Sequence, residues 1–321
     1  MDKISLTVEL EGKQRIDAYL RDHTELSRGQ AQKLVENARV WVNKKLIAAY
    51  SHQVRNGDTI EYVEDLPKDV KPVHNDIPLD IIYEDGDILV INKQPGLVVH
   101  PAPGHTEGTL VNAVIDKHIN ADDFLANAGR LGVVHRLDKD TSGVMVLAKH
   151  DRSCLRLVKM FKGRELEKIY KTLVHGRIEQ EGRIETFINR DTHDRKKFTA
   201  RLAHGKEAQT LFYPEEVFYD ATLLRVKILT GRTHQIRVHM NHLKHPVAGD
   251  QMYGDKNRDI AMTEYLGYDA KSAEDLLPRQ MLHAYSLKFN HPMTGEPKEF
   301  IAPLPADFMK VLEMLRRRAS L

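Results

Sequence analysis

The stretch Val134-His135-Arg136-Leu137-Asp138-Lys139-Asp140-Thr141-Ser142-Gly143, followed by Val144-Met145-Val146-Leu147-Ala148, decides how this chain is read. The apolar run from Gly143 to Ala148 predicts a β-strand, and apolar residues also lead into the polar segment. Between the two runs sits a turn carrying His135, Arg136 and Asp138. Charge at a junction of buried runs is costly unless it is paired. The local chemistry admits two readings: a solvated turn whose Asp and Thr-Ser cap backbone groups, or a site that uses the carboxylate.

The 321 residues suit one large domain with a small appendage, or two domains. Apolar residues make up 41%, which supplies a full core and argues against wholesale disorder. Net charge is +2, so overall charge does not announce nucleic-acid binding and only its distribution can. The single cysteine, Cys154, excludes an intrachain disulfide and a cysteine-rich metal site. No apolar run approaches the roughly 18 residues of a membrane helix, and Met1-Asp2-Lys3-Ile4 does not open a signal peptide. A cytoplasmic monomer with no membrane association and no protein partner is the expectation.

Residues 1–70 read as a small module, with its core at 13–63. Arg15 to Leu20 opens a helix, and Ser27 suits the N-cap of a second helix carrying Ala31, Leu34 and Val35. Val40-Trp41-Val42-Asn43 alternates as a strand, and Val54 to Tyr62 reads as a turn and another strand. From Ser27 to Gly57 there are six basic residues (Arg28, Lys33, Arg39, Lys44, Lys45 and Arg55) against one acid, Glu36. That local +5 is either a solvated face or a phosphate-binding surface. Residues 64–76, with Pro67 and Pro72, read as a linker. The second domain is placed at 77–321. Ile81 to Ile91 reads as a hairpin, Ser153 to Phe161 as a short amphipathic helix, and 169–174, 209–213 and 221–228 as strands. Ala306 to Arg318 closes the chain as a helix with a basic end. Many strands with interspersed helices and no regular βαβ alternation predict an α+β fold with a mixed, mainly antiparallel sheet.

Three further constellations carry possible chemistry. Lys168-Ile169-Tyr170 opens a strand, where a lone tyrosine is ordinarily a packing residue. Thr230-Gly231-Arg232-Thr233-His234-Gln235-Ile236-Arg237-Val238-His239 is read as a strand, on which His234 and His239 point to opposite faces and do not share an ion. Residues 188–206 hold six basic residues, two acids and two histidines around Phe198. They are either an arm gripping RNA backbone, through Arg195, Lys196 and Lys197, or a solvated loop. Gly104 to Thr109 lacks the lysine of a phosphate loop, no Gly-x-Ser-x-Gly elbow occurs, and no Cys-His cluster offers a zinc site.

His-Arg-Leu-Asp-x-x-Thr-Ser-Gly at 135–143, together with Gly-Arg-Thr-His-Gln-Ile-Arg at 231–237, resembles the RluA-type pseudouridine synthases, and the resemblance runs to Arg279–Ala284. Where that family has Asn/Asp-Lys-Pro, this chain has Lys93-Gln94-Pro95. The N-terminal module resembles an S4 RNA-binding domain in Arg15-x-Asp17, Ser27-Arg28, Val40-x-Val42-Asn43 and Gly57-Asp58. It departs at Ala38, where glycine is common, and at Asn43-Lys44-Lys45, which lacks the usual Asn-Gly turn. The resemblance is nearest to the branch that acts on large-subunit ribosomal RNA and carries an S4 domain. It implies an isomerase that converts uridine to pseudouridine with no cofactor and no metal. It makes Asp138 the catalytic aspartate, Arg237 its partner and Tyr170 a neighbour of the target base. Arg136, Ile236 and His135 would contact the substrate, Arg136 filling the space the flipped base leaves. Arg28, Lys33, Arg39, Lys44, Lys45, Arg195, Lys196 and Lys197 would bind RNA. A related enzyme acting on transfer RNA, and a non-catalytic S4-type assembly factor, are the alternatives.

Overall fold

The basic N-terminal segment is organised around one buried carboxylate. In the computed structural model the chain forms two compact units, Met1–Lys71 and Pro72–Leu321. The structure describes residues 3–24, 26, 28–36, 38–63, 75–100, 107–124, 131–192, 194 and 196–320. The expected N-cap Ser27, the expected RNA contact Arg195 and most of the expected linker (64–74) lie outside the described residues.

The first unit holds β1 (Ile4–Thr7), β2 (Lys13–Arg15), α1 (Ile16–His23), α2 (Arg28–Glu36), β3 (Val40–Val42), β4 (Lys45–Leu46), β5 (Gln53–Arg55) and β6 (Thr59–Tyr62). Four strands pair in the order β1-β6-β3-β4, and β2 pairs β5 separately. Both departures from the S4 pattern fall on left-handed backbone. Ala38 has φ 55, and Asn43 and Lys44 have φ 49 and 65. The β3–β4 hairpin therefore keeps the two-residue turn that Asn-Gly favours, although its second position is a lysine. Asn43 holds the turn to β6: it donates to Asp58 Oδ1 at 2.8 Å and accepts from the Thr59 N–H at 2.9 Å. The last two segments of the quoted S4 pattern, Val40–Asn43 and Gly57-Asp58, thus touch.

The second unit holds β7 (Asp80–Glu84), β8 (Ile88–Lys93), α3 (Leu110–Val114), β9 (Ser142–Ala148), α4 (Asp151–Gly163), β10 (Glu167–His175), β11 (Gly182–Arg190), β12 (Phe198–Arg201), β13 (Lys206–Val217), β14 (Ala221–Ile228), α5 (Gln235–His242), α6 (Lys256–Tyr265), α7 (Ala273–Leu276), β15 (Leu282–Asn290), β16 (Pro297–Ile301) and α8 (Ala306–Ala319). Ten strands make one sheet in the order β12-β11-β13-β14-β10-β15-β9-β8-β7, with β16 alongside β15. The fold is α+β, and its sheet is antiparallel except at one seam. There β9 and β15 run parallel over two residue pairs, His283 with Ser142 and Ala284 with Gly143. The backbones come so close that a Cβ on Gly143 would lie 2.2 Å from the Ala284 carbonyl oxygen, and φ there is +115°. Only glycine fits. All seven residues of β9 are buried. On one side of the seam, β8 and β9 pack with α3 and α4. On the other, β14 packs with Ile236 and Met240 of α5.

One expectation fails here. Gln235 to His242 is a helix, not a strand. Its apolar residues Ile236, Val238 and Met240 alternate, which imitates a strand. Six of its eight residues are buried, so it has no polar face to reveal a helical period. The β11–β12 hairpin overlaps the basic stretch at 188–206: Arg190 pairs Phe198 and Phe187 pairs Arg201.

Asp17, fully buried, accepts from Arg15 Nε at 3.0 Å, Arg28 Nε at 3.1 Å and Gln32 Nε2 at 2.7 Å. Burial alone would raise its pKa; the hydrogen bonds from Arg15, Gln32 and Arg28 overcome this and bring it down to about 2, from 3.8. A depressed carboxylate pKa stabilises the folded form above the unfolded value, and that contribution is lost as pH falls through the folded one. The first unit should therefore lose stability between about pH 4 and pH 2. Asp17→Asn should flatten that limb in thermal melts of the full chain; an unchanged acid limb would refute the assignment.

Candidate active site

Asp138 precedes β9 by four residues, and its carbonyl oxygen accepts from the Thr141 N–H at 3.1 Å, closing a tight turn at the seam. The turn is pinned from outside at successive positions. Lys93 Nζ donates to the Lys139 carbonyl at 2.9 Å, Arg279 Nη1 to the Asp140 carbonyl at 3.0 Å, and Gln280 Nε2 to Thr141 Oγ1 at 3.2 Å. Lys93 is 0% exposed. Its other N–H groups reach the carbonyls of Gln94 and Leu97 at 2.8 and 2.9 Å, so all three ammonium donors are used. Burial pulls its pKa down to about 7, with Asp140 opposing and Arg279 reinforcing.

On the far side of the seam, the turn into α5 is stitched by Gln235. Its amide accepts from the Arg232 N–H at 3.0 Å and donates to the Gln209 carbonyl at 2.9 Å. This sets Arg237 one step inside the helix. Arg237 Nη1 donates to Asp138 Oδ2 at 2.8 Å. Its Nε and Nη2 donate to Asp250 Oδ2 and Oδ1 at 2.7 and 2.8 Å, a two-point grip. Asp250 Oδ1 also accepts from the N–H groups of Met252 and Tyr253 at 2.9 and 3.0 Å. Burial works against the Arg237 charge, yet the hydrogen bonds and charge of Asp250, joined by Asp138, raise its pKa. Burial would likewise raise the pKa of Asp250; Arg237 lowers it instead.

Tyr170 lies near enough to Asp138 to feel its charge. It sits at a bulge in β10, paired with Val226 and Ala284, and packs against the clusters on both sides of the seam, the second of which contains Ile236. Burial raises its pKa and the Asp138 charge adds to this, which keeps the phenol neutral. Arg136 is exposed and, among the described residues, has no hydrogen-bond or ion-pair partner. His135, the other expected substrate contact in this motif, has intramolecular partners. Its Nε2 accepts from the Val146 N–H at 3.1 Å, its ring stacks on Phe161 at 4.7 Å, and burial lowers its pKa to about 3. It braces the loop against β9 and α4. Asp140 has no side-chain partner among the described residues, in contrast to Asp138.

His234 and His239 use separate partners. His239 lies between Thr210 Oγ1 and Thr186 Oγ1 at 2.8 and 2.9 Å, while His234 Nδ1 meets Tyr253 Oη at 2.8 Å. Among the described residues one group has metal-ligand spacing, Asp85, Asp87 and His291. His291 Nδ1 accepts from the N–H groups of Met293 and Thr294 at 3.3 and 3.2 Å, so its proton sits on Nε2, which faces Asp85 Oδ2 at 3.0 Å. That nitrogen has no lone pair to offer a cation.

Residues 87–242 match the family model described as RNA pseudouridylate synthase, and residues 14–60 match the S4 domain model. A protein of Aquifex aeolicus named as an RNA pseudouridine synthase is 42% identical, with 99% of each chain covered. The ribosomal large subunit pseudouridine synthase D of Vibrio vulnificus is 38% identical, covering 96% of this chain and 92% of its own. The solved structure of human RNA pseudouridylate synthase domain containing 4 superposes with a TM-score of 0.57 at 26% identity, over 74% of this chain and 93% of that one. The chain belongs to the RluA-type RNA pseudouridine synthases. It is an isomerase with an N-terminal S4 RNA-binding domain. In such an enzyme the target uridine must leave its stack to reach a buried site. No helix among the described residues is long and apolar enough to cross a membrane.

The sequence reading missed Asp250, Lys93 and Arg279 as parts of this site. A lysine closing the apolar run Ile88–Ile91 was the available signal for one of them.

Lysine at position 237 would keep the charge but lose the fork that grips Asp250 at two points while reaching Asp138. Arg237→Lys should lower the single-turnover rate at saturating enzyme by at least about tenfold, roughly 1.4 kcal/mol of barrier. Equilibrium RNA affinity should barely move. Weaker binding at a normal rate would instead place Arg237 on the RNA backbone.

Proposed function

We propose that the enzyme converts uridines of large-subunit ribosomal RNA to pseudouridine, with Asp138 as the reacting carboxylate. The observation that carries the site is the 2.8 Å contact from Arg237 Nη1 to Asp138 Oδ2, which binds only one of the two oxygens. Among the described residues Oδ1 has no hydrogen-bond donor closed on it; the nearest ion-pair neighbour is His234 Nε2 at 3.8 Å. The reaction breaks the bond from uracil N1 to ribose C1′, turns the base and forms a C5–C1′ bond; the C5 proton leaves and N1 gains one. Nothing is oxidised and no atom is lost. An ionised carboxylate can attack C1′ or remove the C2′ proton, and both routes use the free Oδ1. Tyr170 gives the detached base a stacking face. Its neutral hydroxyl can relay a proton but does not begin as a base. Ile236 would pack beneath the base, and the guanidinium of Arg136, unpartnered among the described residues, is free to occupy the vacated stack.

The ribosomal target is supported by the S4 domain and by relatives from Vibrio vulnificus, Yersinia pestis and Pasteurella multocida named ribosomal large subunit pseudouridine synthase D. Exposed Lys44 and Lys45 on the β3–β4 turn, exposed Lys33 and half-exposed Arg28 and Arg39 in the first unit, and Lys196 and Lys197 on the β11–β12 arm, supply cations for phosphate.

Asp138→Asn should abolish isomerisation with folding and RNA affinity intact, while Asp140→Asn should keep most activity. If the Asp140 change alone silences the enzyme, the assignment is wrong. Mapping pseudouridines across cellular RNA with and without the gene should show losses in large-subunit ribosomal RNA. Losses confined to transfer RNA would overturn the target.

A further inference from the structure

His234 stands next to the reacting pair and has no part in the chemistry assigned so far. It caps α5 with φ 57, a left-handed conformation that a histidine adopts only where its surroundings hold it. Its Nε2 faces Asp138 Oδ1 at 3.8 Å, the oxygen that Arg237 leaves free. Its Nδ1 lies 2.8 Å from Tyr253 Oη. The same phenol oxygen accepts from the Phe198 N–H at 2.8 Å, and Phe198 is the first residue of β12.

These contacts favour one histidine tautomer. A backbone N–H can only donate, so the Tyr253 oxygen accepts from Phe198, and His234 Nδ1 at 2.8 Å is the acceptor within reach of the tyrosine's own proton. A neutral imidazole then carries its proton on Nε2, aimed at Asp138. Ring packing holds the line: Phe198 and Tyr253 each meet the His234 ring edge to face at 5.5 Å, and the Arg237 guanidinium lies 5.1 Å from the Tyr253 ring centre. A connected path therefore runs from the backbone of the basic arm, through two side chains, to the free oxygen of Asp138. At 3.8 Å its last step is not yet a hydrogen bond; an approach of about 1 Å would make one.

We infer that His234 is a positioning residue for pseudouridylation, orienting the free oxygen of Asp138 through Nε2–H, and that Tyr253 and the Phe198 N–H tie its placement to the seating of the β11–β12 arm on RNA. This rests on the roles proposed above for Asp138 and for the arm. Phosphates drawn to Lys196 and Lys197 would shift the start of β12, and Tyr253 would carry that shift to His234. Binding of the correct RNA would thus complete the site.

The test compares single-turnover rates at saturating full-length enzyme with equilibrium RNA affinity and thermal melts. His234→Ala should slow turnover about tenfold while affinity changes by less than about twofold. His234→Gln, whose amide N–H can still face Asp138, should recover part of the rate. Tyr253→Phe keeps the ring and removes only the relay oxygen, so it should also slow turnover. If the two act in one chain, the double variant should be no slower than His234→Ala alone. A parental rate in His234→Ala, a glutamine no better than alanine in stably folded protein, or losses that multiply in the double variant would each overturn the inference. Should the alanine variant fail to fold, the glutamine and Tyr253→Phe variants decide by rate. Lys196→Gln with Lys197→Gln reads the arm separately through affinity and its salt dependence, and Asp138→Asn reads the chemistry. A failure at His234 alone therefore leaves both of those roles standing.

Discussion

The site depends on how one guanidinium is divided between two carboxylates. Arg237 gives Nε and Nη2 to Asp250 and only Nη1 to Asp138. Asp250 is neutralised, and the backbone N–H groups of Met252 and Tyr253 add two further donors at its Oδ1. Asp138 is anchored at one oxygen and left with the surplus negative charge. The three groups come from different places: the turn before β9, the helix α5 and the loop after it. Their contact joins the two halves of the sheet across its single parallel seam. Removing Asp250, the fully buried partner, would leave the Arg237 charge uncompensated, typically about 3–5 kcal/mol of destabilisation. The Arg237–Asp250 pair is therefore a structural clasp.

Much of this was legible in the sequence, for reasons that differ by element. β9 announced itself through an unbroken apolar run, since a strand buried on both faces needs no alternation. β14 was read at its observed bounds, Ala221–Ile228. The motif turn was legible because a carboxylate between buried runs demands a partner, and the resemblance named Arg237 as that partner. The secondary structure around Arg237 was not legible. A helix buried on nearly every side has no polar stripe, and the alternation of Ile236, Val238 and Met240 favoured a strand. Asp250 was hidden differently. Ala248-Gly249-Asp250 has no local pattern, and its meaning arises from a partner thirteen residues away on a neighbouring helix. His135 shows a role the motif did not announce: its ring nitrogen accepts from a β9 amide and its ring stacks on Phe161.

The remaining cations explain how the loop can be rigid without being quenched. Lys93 and Arg279 both approach the turn that carries Asp138 and Asp140, yet they donate to the backbone carbonyls of Lys139 and Asp140 rather than to the carboxylates. Arg279 is itself held by Asp307, with Nε at 2.7 Å from Oδ2 and Nη2 at 3.0 Å from Oδ1. Had either cation paired with Asp138, it would have fixed the side chain but stabilised its resting charge, and that stabilisation would have to be given up in the reaction proposed for that oxygen. Pinning the backbone avoids this. The turn is positioned before substrate arrives, little reorganisation is left for the reaction itself, and the free oxygen keeps its electron density. Position comes from Lys93 and Arg279, charge balance from the Arg237–Asp250 pair, and Asp138 Oδ1, the oxygen proposed to react, has no donor closed on it among the described residues.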